Sequence, residues 1–163
     1  MSESDAARER ALDETVRPDI ARLFSLALSI LRDQGEAQDV VQETLVKAWR
    51  SWDPISRTDH VGRWLTRVCV NYCISRRRYL RSRDWPPLQL SELAASPGDP
   101  SSRAETVDMD RAYRRLSLKQ RAAIALTYGY GYTDNESAAL MGCRPGTVRT
   151  HVARALATLR KEL

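Results

Sequence analysis

The stretch that decides the fold is residues 133–159, which read TDNESAALMGCRPGTVRTHVARALATL. It contains the parts of two short helices joined by a tight turn. Thr133 is a residue type that caps a first helix, and Glu136 three positions later can complete a capping box. Gly142 offers the positive φ that a helix end needs, and Pro145 suits the first turn of a second helix. The spacing therefore predicts a helix-turn-helix.

The second helix of this motif has one apolar face and one polar face. Its apolar residues recur at helical spacing and predict a stripe toward the core: Val148, Val152, Ala155, Leu156 and Leu159. The opposite face combines hydroxyls with arginines, which can contact phosphates and guanine edges. That face carries Thr147, Arg149, Thr150 and Arg154. Residues 143–161 contain five basic residues and no acid, which favours DNA contact over a solvated structural helix.

The charge of the chain is segregated along the sequence. The 163 residues carry a net charge of +5. Residues 1–60 carry a net −4 and residues 84–110 a net −5, whereas residues 61–83 and 111–163 each carry a net +7. Scattered solvation charge rarely separates in this way. Two basic blocks divided by an acidic one indicate two surfaces that bind a polyanion.

Composition disfavours several classes of protein. No apolar run approaches the ~18 residues of a membrane span, and the first residues, MSESDAARERALDE, lack the apolar segment of a signal peptide. We therefore expect a cytoplasmic protein without membrane insertion. The two histidines, His60 and His151, belong to no HxxEH pattern, and neither a GxSxG nor a GxxxxGK signature occurs. We expect neither an enzyme nor a cofactor.

The three cysteines do not indicate a disulfide framework, because their number is odd. Cys69 and Cys73 would share one face of a helix. They are either half of a metal site or small buried apolar residues. The second interpretation is favoured, since no further His or Cys lies close by to complete a tetrahedron.

Prolines mark a boundary in the middle of the chain. Four of the seven prolines fall within residues 84–103, DWPPLQLSELAASPGDPSSR, where their missing N–H groups oppose helix formation. A linker of ~20 residues can span roughly 65 Å when extended. We therefore expect a first domain at residues 1–83, a linker at 84–103 and a second domain at 104–163.

Helical periodicity dominates both flanking segments. The segment RVCVNYC also alternates like a strand, but three- and four-residue spacing continues on both sides of it. The segment SWDPISRTD, residues 51–59, is expected to form a loop. The predicted fold is all-α, with two small helical domains joined by a flexible linker. Besides the helix-turn-helix, helices are predicted at 18–31, 36–49, from Val61 onward, at about 104–116 and at 118–128.

The first basic block has the composition of a surface that grips single-stranded nucleic acid. Helical spacing places Arg63, Arg67, Asn71, Ser75 and Arg78 on one stripe. Aromatic residues lie among these arginines, and bases can stack on such side chains while arginines hold the backbone. Trp64 is equally compatible with a core position, and the run RRRYLRSR with a solvated helix end.

The predicted helix over 36–49 has a second polar face, with Asp39, Gln42, Glu43, Val46 and Arg50. Its acidic end would repel DNA. If this face binds a partner, that partner is a protein; an ordinary solvated face is the alternative.

Three segments, in this order and with a proline-rich linker before the third, resemble the extracytoplasmic-function group of bacterial sigma-70-type factors. EAQDVVQETLVKAW resembles that family's region 2 helix, and VGRWLTRVCVNYCISRRR resembles its WLxRIxxN segment. The segment that runs from LSLKQRAAIALTYGYGY through the helix-turn-helix resembles region 4. Together these segments cover residues from about 18 to 163.

The resemblance implies a role for each surface. Core RNA polymerase would be bound at its β′ clamp helices and its β flap, with Asp39, Gln42 and Glu43 on the β′ side. The minus-10 element of promoter DNA would be opened and read by Arg63, Trp64, Arg67, Asn71, Arg76, Arg77 and Arg78. The loop at residues 51–60 would help to form a pocket for a flipped base. The minus-35 element would meet Arg144, Thr147, Arg149, Thr150 and Arg154. An anti-sigma factor would be a further partner.

The chain departs from the family pattern at three positions. Ser75 stands where the family often has Asp, Arg144 where a capping Ser is common, and His151 where a small residue is usual. The runner-up function is a helix-turn-helix regulator that is not a polymerase subunit, because response-regulator output domains share the TVRTHV pattern. Such a regulator would carry an α/β domain upstream, and the upstream half here is predicted to be helical and rich in arginine.

Overall fold

The computed structural model describes residues 2–76 and 100–163. In these two ranges the chain forms helices and turns without a strand, which confirms the all-α prediction and the helical interpretation of RVCVNYC. Among the described helices, none combines the length and the apolar character that crossing a membrane requires. The helices are α1 (Glu3–Leu31), α2 (Gln34–Arg50), α3 (Trp52–Ser56), α4 (Val61–Ile74), α5 (Pro100–Arg114), α6 (Leu118–Ile124), α7 (Asp134–Met141) and α8 (Pro145–Glu162).

Helix α1 begins well before its predicted start at Pro18. A capping box closes its N-terminus, because the Ser2 hydroxyl accepts from the Asp5 N–H while the Asp5 carboxylate accepts from the Ser2 N–H. The prediction that the helix starts at Pro18 is wrong. Proline favours a first turn, but in this chain Pro18 lies inside a 29-residue helix.

Tertiary contacts hold the added part of α1 in place. Val16 is buried, and Leu12 packs on the core. The Arg8 guanidinium donates to the Trp49 carbonyl at 2.8 Å and lies 4.7 Å from the centre of the Trp49 ring. These contacts anchor the helix against the end of α2, which the apolar periodicity of residues 3–17 alone did not reveal.

Helices α1, α2 and α4 pack on one another and form the first half of the molecule. Its core contains Leu23, Ile30, Val40 and Leu65, all without solvent exposure. The predicted loop at 51–59 contains the short helix α3, because Trp52 is buried and draws the chain back onto the core. Local turn signals in SWDPISRTD were therefore overridden by the burial of apolar side chains.

Cys69 and Cys73 are both fully buried on the inner side of α4, as expected for small apolar residues. A hydrogen bond between the two thiols and their burial raise the pKa of Cys73 well above its usual value. Its thiol therefore stays protonated and unreactive. Within the described ranges, no cluster of three or more His, Cys, Asp or Glu side chains is placed to hold a metal ion.

Helices α5 to α8 form the second half. Helix α5 begins at Pro100, before the predicted start near residue 104; proline is tolerated there because the first-turn N–H has no helical acceptor. Ser117 and Gln120 form a capping box at the start of α6. The predicted helix over 118–128 is divided, since its last part, Ala125–Gly129, widens into a π-helical turn.

The two halves are in direct contact. Helix α4 packs on α6 and α7, and α1 packs on α6. The two predicted helical domains are therefore present, and in this structure they share one continuous core. The sequence did not indicate this contact, because a proline-rich linker is equally compatible with domains that touch and domains that do not.

Pro18→Ala should raise the free energy of unfolding by about 1–2 kcal/mol. An interior proline costs a helix ~3 kcal/mol, of which ~1 kcal/mol is offset by its effect on the unfolded chain. The substitution would supply the backbone N–H that the Glu14 carbonyl needs. The measurement is the urea midpoint at constant m-value.

Pro145→Ala is the matched control, since Pro145 occupies the first turn of α8, where no donor is missing. It should not raise stability. Equal gains for both variants, or no gain for Pro18→Ala, would contradict the assignment of a helix-interior cost to Pro18.

Candidate nucleic-acid and protein interfaces

The helix-turn-helix is built from the local chemistry that its sequence indicated. The Thr133 hydroxyl accepts from the Glu136 N–H at 3.1 Å and caps α7. Only this half of the expected capping box forms, so that part of the prediction is wrong. Gly142 ends α7 with φ of 69°, and Pro145 begins α8. Arg144 precedes α8 without a side-chain cap, and its carbonyl accepts from the Thr147 and Val148 N–H groups.

Helix α8 separates its apolar and basic residues onto two faces. Val148 and Ala155 are fully buried, and the rest of the predicted apolar stripe is half-buried. The side chains predicted to meet DNA are all exposed on the remaining surface: Arg144, Thr147, Arg149, Thr150 and Arg154. Arg149 lies 3.6 Å from the Asp134 carboxylate, and both side chains are largely exposed. Such a pair is weak, so it can be exchanged for a phosphate contact.

His151 is half-buried beside this face. Burial lowers its pKa, and Lys119 and Arg154 lower it further by repulsion. The imidazole is therefore mainly neutral at pH 7 and adds no cation to the basic face.

A groove of about 330 Å³ runs between α2 and α4. Its lining combines aromatic rings with cationic and amide side chains: Lys47, Trp64, Arg67, Val68, Asn71 and Tyr72. Trp64 is half-buried and packs partly on the core, so it both supports the fold and presents a surface to the groove. A nucleobase could stack on such a surface while Arg67 contacts a phosphate.

Besides the buried Val68, two residues of this groove were not predicted as site residues. Lys47 and Tyr72 line it, and the Lys47 ammonium lies 5.8 Å from the centre of the Tyr72 ring. Tyr72 is half-buried. Its position directly after Asn71 could have indicated that it lines the groove. Neighbouring positions on a helix lie ~100° apart and can border the same groove.

The remaining predicted residues of the first basic block lie in three different settings. Arg63 lines a second cavity, between α4 and α7, away from the groove. Arg76 forms ion pairs with Glu36 at 3.2 Å and with Glu43 at 2.7 Å. Arg77 and Arg78 lie outside the described residues.

The Arg76 pairs join two surfaces that the sequence assigned to different partners. Glu43 belongs to the predicted protein-binding face of α2, and Arg76 to the predicted DNA-binding block. In the structure the two side chains form an ion pair, so each reduces the net charge of the other's surface. Binding of either partner therefore has to compete with this ion pair.

The polar face of α2 forms a wide groove of about 640 Å³. Asp39, Gln42 and Glu43 are exposed along it. Val46 in the same groove is 48% exposed. Lys47 and Arg50 line the other end of the groove. An exposed valine between acidic and basic side chains fits a protein partner with complementary charges and an apolar group.

Family models match both halves of the chain. A model described as "Sigma-70 region 2" matches residues 16–85, and one described as "Sigma-70, region 4" matches residues 106–159. The first match contains α2 and α4, and the second contains the helix-turn-helix.

Similar proteins include RNA polymerase sigma factors of actinobacteria. The chain is 31% identical over 154 residues to the ECF RNA polymerase sigma factor SigM of Mycobacterium tuberculosis, covering 94% of this chain and 77% of the relative. It is 32% identical over 165 residues to SigL of the same organism, covering 97% and 92%. The RNA polymerase sigma-E factor of Streptomyces coelicolor is 29% identical, and the match covers 93% of this chain and 85% of that relative.

Solved structures with a similar fold also cover both halves. The sigma factor RpoE from Bartonella quintana, in complex with the anti-sigma factor NepR, has a TM-score of 0.66 and 26% identity, with 94% of this chain and 96% of that chain covered. CnrH, in complex with the cytosolic domain of CnrY, has a TM-score of 0.62 and 25% identity, with 94% and 87% covered.

Two glycines at the helix-turn-helix should respond in opposite ways to alanine. Gly142→Ala should lower the free energy of unfolding by about 1–2 kcal/mol, because φ of 69° is unfavourable for a residue with a Cβ. Gly146→Ala should raise it by about 0.5–1 kcal/mol, because Gly146 is helical and a Cβ there meets only the Arg149 side chain at 3.7 Å.

Urea unfolding of both variants provides the measurement. Destabilisation by Gly146→Ala, or tolerance of Gly142→Ala, would be inconsistent with the turn geometry described for α7 and α8.

Proposed function

The chain belongs to the extracytoplasmic-function group of the sigma-70 family and is an alternative sigma factor; from this premise we propose which of its surfaces bind core RNA polymerase and which read promoter DNA. The observation that carries the proposal is the division of charge over the fold. The exposed face of α2 carries Asp39 and Glu43 toward its N-terminal end, and exposed basic faces lie on α4 and α8. Polymerase and DNA can therefore be bound at the same time by different sides of one chain.

The α2 groove is the proposed docking site for the polymerase β′ clamp helices. Its exposed Asp39, Gln42 and Glu43 offer acceptors, and Val46 offers an apolar contact at the centre. Lys47 and Arg50 line the same groove toward its other end. A partner surface with complementary charges would therefore be oriented along the groove, while the apolar contact slows dissociation. We assign the β flap to the second half of the chain, in the domain that we propose for residues 104–163.

The groove between α2 and α4 is the proposed site for the opened minus-10 strand. Trp64 and Tyr72 supply stacking surfaces, and Arg67 and Asn71 supply charge and hydrogen-bonding groups. Arg63, at the cavity between α4 and α7, and Arg76, which pairs with Glu36 and Glu43 in the free protein, would contact the backbone. Arg77 and Arg78 complete the proposed set. The exposed residues 56–60 of the preceding segment would help to receive a flipped base.

Helix α8 is the proposed reader of the minus-35 element. Its exposed Thr147, Arg149 and Thr150 lie near the N-terminus, where the recognition helix of a helix-turn-helix contacts base edges. Arg154 lies further along the same face. Arg144 directly precedes the helix and is exposed, and its guanidinium would contact a phosphate.

We propose domain limits of 1–83 and 104–163, with residues 84–103 as the linker; the last four of these already belong to α5. The protein would act in the cytoplasm together with polymerase, without catalytic activity of its own, and an anti-sigma factor would be a further partner. The match of the first half to sigma-70 region 2 weighs against the alternative of a helix-turn-helix regulator that is not a polymerase subunit.

Run-off transcription with purified core polymerase and genomic DNA tests the function as a whole. Transcripts with defined starts that depend on the protein would support it. A protein that binds DNA upstream of genes but neither binds core polymerase nor produces transcripts would instead be the ordinary regulator.

The minus-35 assignment predicts that Arg149→Ala/Arg154→Ala will reduce run-off transcription from a cognate promoter by tenfold or more. Each lost base contact removes about 1–3 kcal/mol, and ~1.4 kcal/mol corresponds to a factor of ten. On a template with a scrambled minus-35 element the variant should equal the wild type, because the contact is already absent.

Arg160→Ala/Lys161→Ala is the matched control, since it removes the same charge from the last turn of α8. If this control loses as much activity, or if the Arg149/Arg154 variant stays impaired on the scrambled template, the loss does not come from reading the minus-35 element.

The polymerase-docking assignment predicts that Asp39→Lys/Glu43→Lys will weaken binding to core polymerase by tenfold or more. The change replaces both carboxylates of the α2 groove with cations, beside Lys47 and Arg50, and places like charges opposite the partner's basic groups. Fluorescence anisotropy of labelled protein titrated with core polymerase provides the measurement. The urea midpoint is recorded in parallel, because Glu43 also pairs with Arg76.

Glu9→Lys/Glu14→Lys reverses the same amount of charge at exposed positions of α1 and should leave polymerase affinity within twofold of wild type. Equal affinity of the α2 variant and the wild type would remove the α2 groove from the docking surface.

A further inference from the structure

The segment that would help to receive a flipped base, residues 51–60, is attached to the core over only part of its length. Trp52 and Ile55 are buried, and the Thr58 N–H donates to the Ile55 carbonyl at 3.0 Å. Residues 56–60 are all exposed. The position of this exposed part therefore depends on how firmly the two ends of the segment, at α2 and α4, are held.

Arg8 of α1 holds the end at α2. Its Nη2 donates to the Trp49 carbonyl at 2.8 Å, and its guanidinium lies 4.7 Å from the centre of the Trp49 ring. Trp49 lies in the last turn of α2, where carbonyls carry the negative end of the helix dipole and favour a cationic donor. The Arg8 Nε also lies 3.5 Å from the Asp53 carboxylate, in the first turn of α3. One side chain thus connects α1 to both sides of the α2–α3 corner.

Arg22 of the same helix holds the end at α4. Its Nη1 donates to the Thr66 hydroxyl at 2.9 Å, and its Nη2 donates to the Gly62 carbonyl at 3.4 Å. The Thr66 hydroxyl in turn donates to the Gly62 carbonyl at 2.8 Å. Both α4 residues lie in the first two turns of a helix whose N-terminus has no side-chain cap. The guanidinium therefore attaches the start of α4 to α1.

Asp19 orients the Arg22 guanidinium. Its Oδ1 accepts from Arg22 Nε at 3.3 Å and from Arg22 Nη2 at 3.1 Å. Its Oδ2 lies 3.5 Å from the place that a Cβ on Gly62 would occupy, so the carboxylate also stands beside the first turn of α4, where negative charge is favourable. The Asp19 and Arg22 side chains are only 26% and 31% exposed. A planar guanidinium bound at several atoms has little freedom to turn, so this network defines the orientation of α4.

The two α4 residues that Arg22 contacts directly precede two arginines proposed for DNA. Gly62 precedes Arg63, and Thr66 precedes Arg67. Thr66 is buried, whereas both arginines are exposed. Because successive positions on a helix are rotated by ~100°, fixing the inner positions also sets the direction in which the outer ones point.

The length of α1 brings the two contacts onto one rigid element. Arg8 and Arg22 lie about four turns apart, or ~21 Å, and therefore on nearly the same side of the helix. A helix that began at Pro18 would contain Arg22 but not Arg8. The N-terminal extension of α1 thus connects both ends of the 51–60 segment to a single helix.

We propose that Arg8 and Arg22 are positioning residues for minus-10 recognition: through them α1 holds both ends of the 51–60 segment, and so sets the pocket for the flipped base and the direction of Arg63 and Arg67. This inference rests on the proposed function of that segment and of α4. Neither Arg8 nor Arg22 contacts DNA in this arrangement. Groups that are held in place before binding lose less freedom when the DNA strand arrives, and they discriminate better between bases.

Conservative substitutions test this role without removing charge. Thr66→Val deletes the hydroxyl from the network at nearly constant shape, and Thr66→Ser retains it. Arg22→Lys and Arg8→Lys each keep a cation, but a single ammonium cannot reproduce the planar set of donors. Arg17→Lys is the matched control, because Arg17 is an exposed arginine of α1 that pairs with Asp13 of the same helix.

The measurement is the affinity of core polymerase carrying each full-length variant for two fork DNAs. One has the single-stranded minus-10 sequence identified by run-off transcription, and the other has that sequence scrambled. Arg8→Lys, Arg22→Lys and Thr66→Val should each bind the cognate fork about tenfold more weakly than the wild type, because the pocket is displaced. Binding to the scrambled fork should change by less than twofold, since it depends on phosphate contacts that tolerate small displacements. Thr66→Ser and Arg17→Lys should equal the wild type on both forks.

Equal losses on the cognate and scrambled forks would overturn the inference, because a variant that is merely less stable loses active protein regardless of DNA sequence. The urea midpoint of each free variant is recorded to identify such a loss. Should Thr66→Val fail to fold, Arg22→Lys probes the same end of the segment.

The double variant Arg8→Lys/Arg22→Lys tests whether the two arginines act on one segment. It should lose little more affinity for the cognate fork than the weaker of the two single variants, because either change already releases the segment. Fully additive losses would show two independent sites and overturn the joint role of α1.

The wild type separates this inference from the proposed function. A wild-type protein that, with core polymerase, does not discriminate between the cognate and scrambled forks would reject the proposed minus-10 site itself. A wild type that discriminates, with Arg8→Lys, Arg22→Lys and Thr66→Val variants that discriminate equally well, would reject the positioning role alone.

Discussion

Helix α4 has to bury its apolar side and keep its polar side accessible to solvent. The packing of the other helices around α4 follows from this requirement. Its inner side, with Leu65, Cys69 and Cys73, has no solvent exposure. Its outer side carries Arg67 and Asn71, whose polar groups would lose hydration without compensation if they were buried. Helices α1 and α6 close the inner side, α2 and α7 flank the outer one, and the groove toward α2 stays open.

In the free protein, internal ion pairs occupy two of the arginines that we propose to contact DNA. Arg76 is paired with Glu36 and Glu43, and Arg149 with Asp134. Pairs that reach solvent contribute only ~0–1 kcal/mol, so phosphates can replace the carboxylates. Until then the pairs reduce the positive charge that the two basic surfaces present, which limits sequence-independent attraction to DNA. The acidic residues of this chain therefore serve its selectivity as well as its contact with polymerase.

Prediction from the sequence succeeded where short-range chemistry decides the conformation. The αL conformation of Gly142, the position of Pro145 and the Thr133 cap each depend on neighbours within a few residues. Prediction failed where distant side chains stabilise a segment. The first half of α1 depends on Arg8 reaching Trp49, and α3 forms because burial outweighs the turn signals around it.

The sequence by itself determined the helices, the faces of α2, α4 and α8, and the segregation of charge, because helical periodicity and residue type are local properties. Only the tertiary structure decided that the two halves share a core and that Arg121 caps α1. Arg121 and Ile30 are 91 positions apart, and nothing near either residue specifies the other. Their contact exists because the packing of both apolar surfaces brings the end of α1 and the buried guanidinium together, where the guanidinium donates to the Ile30 carbonyl.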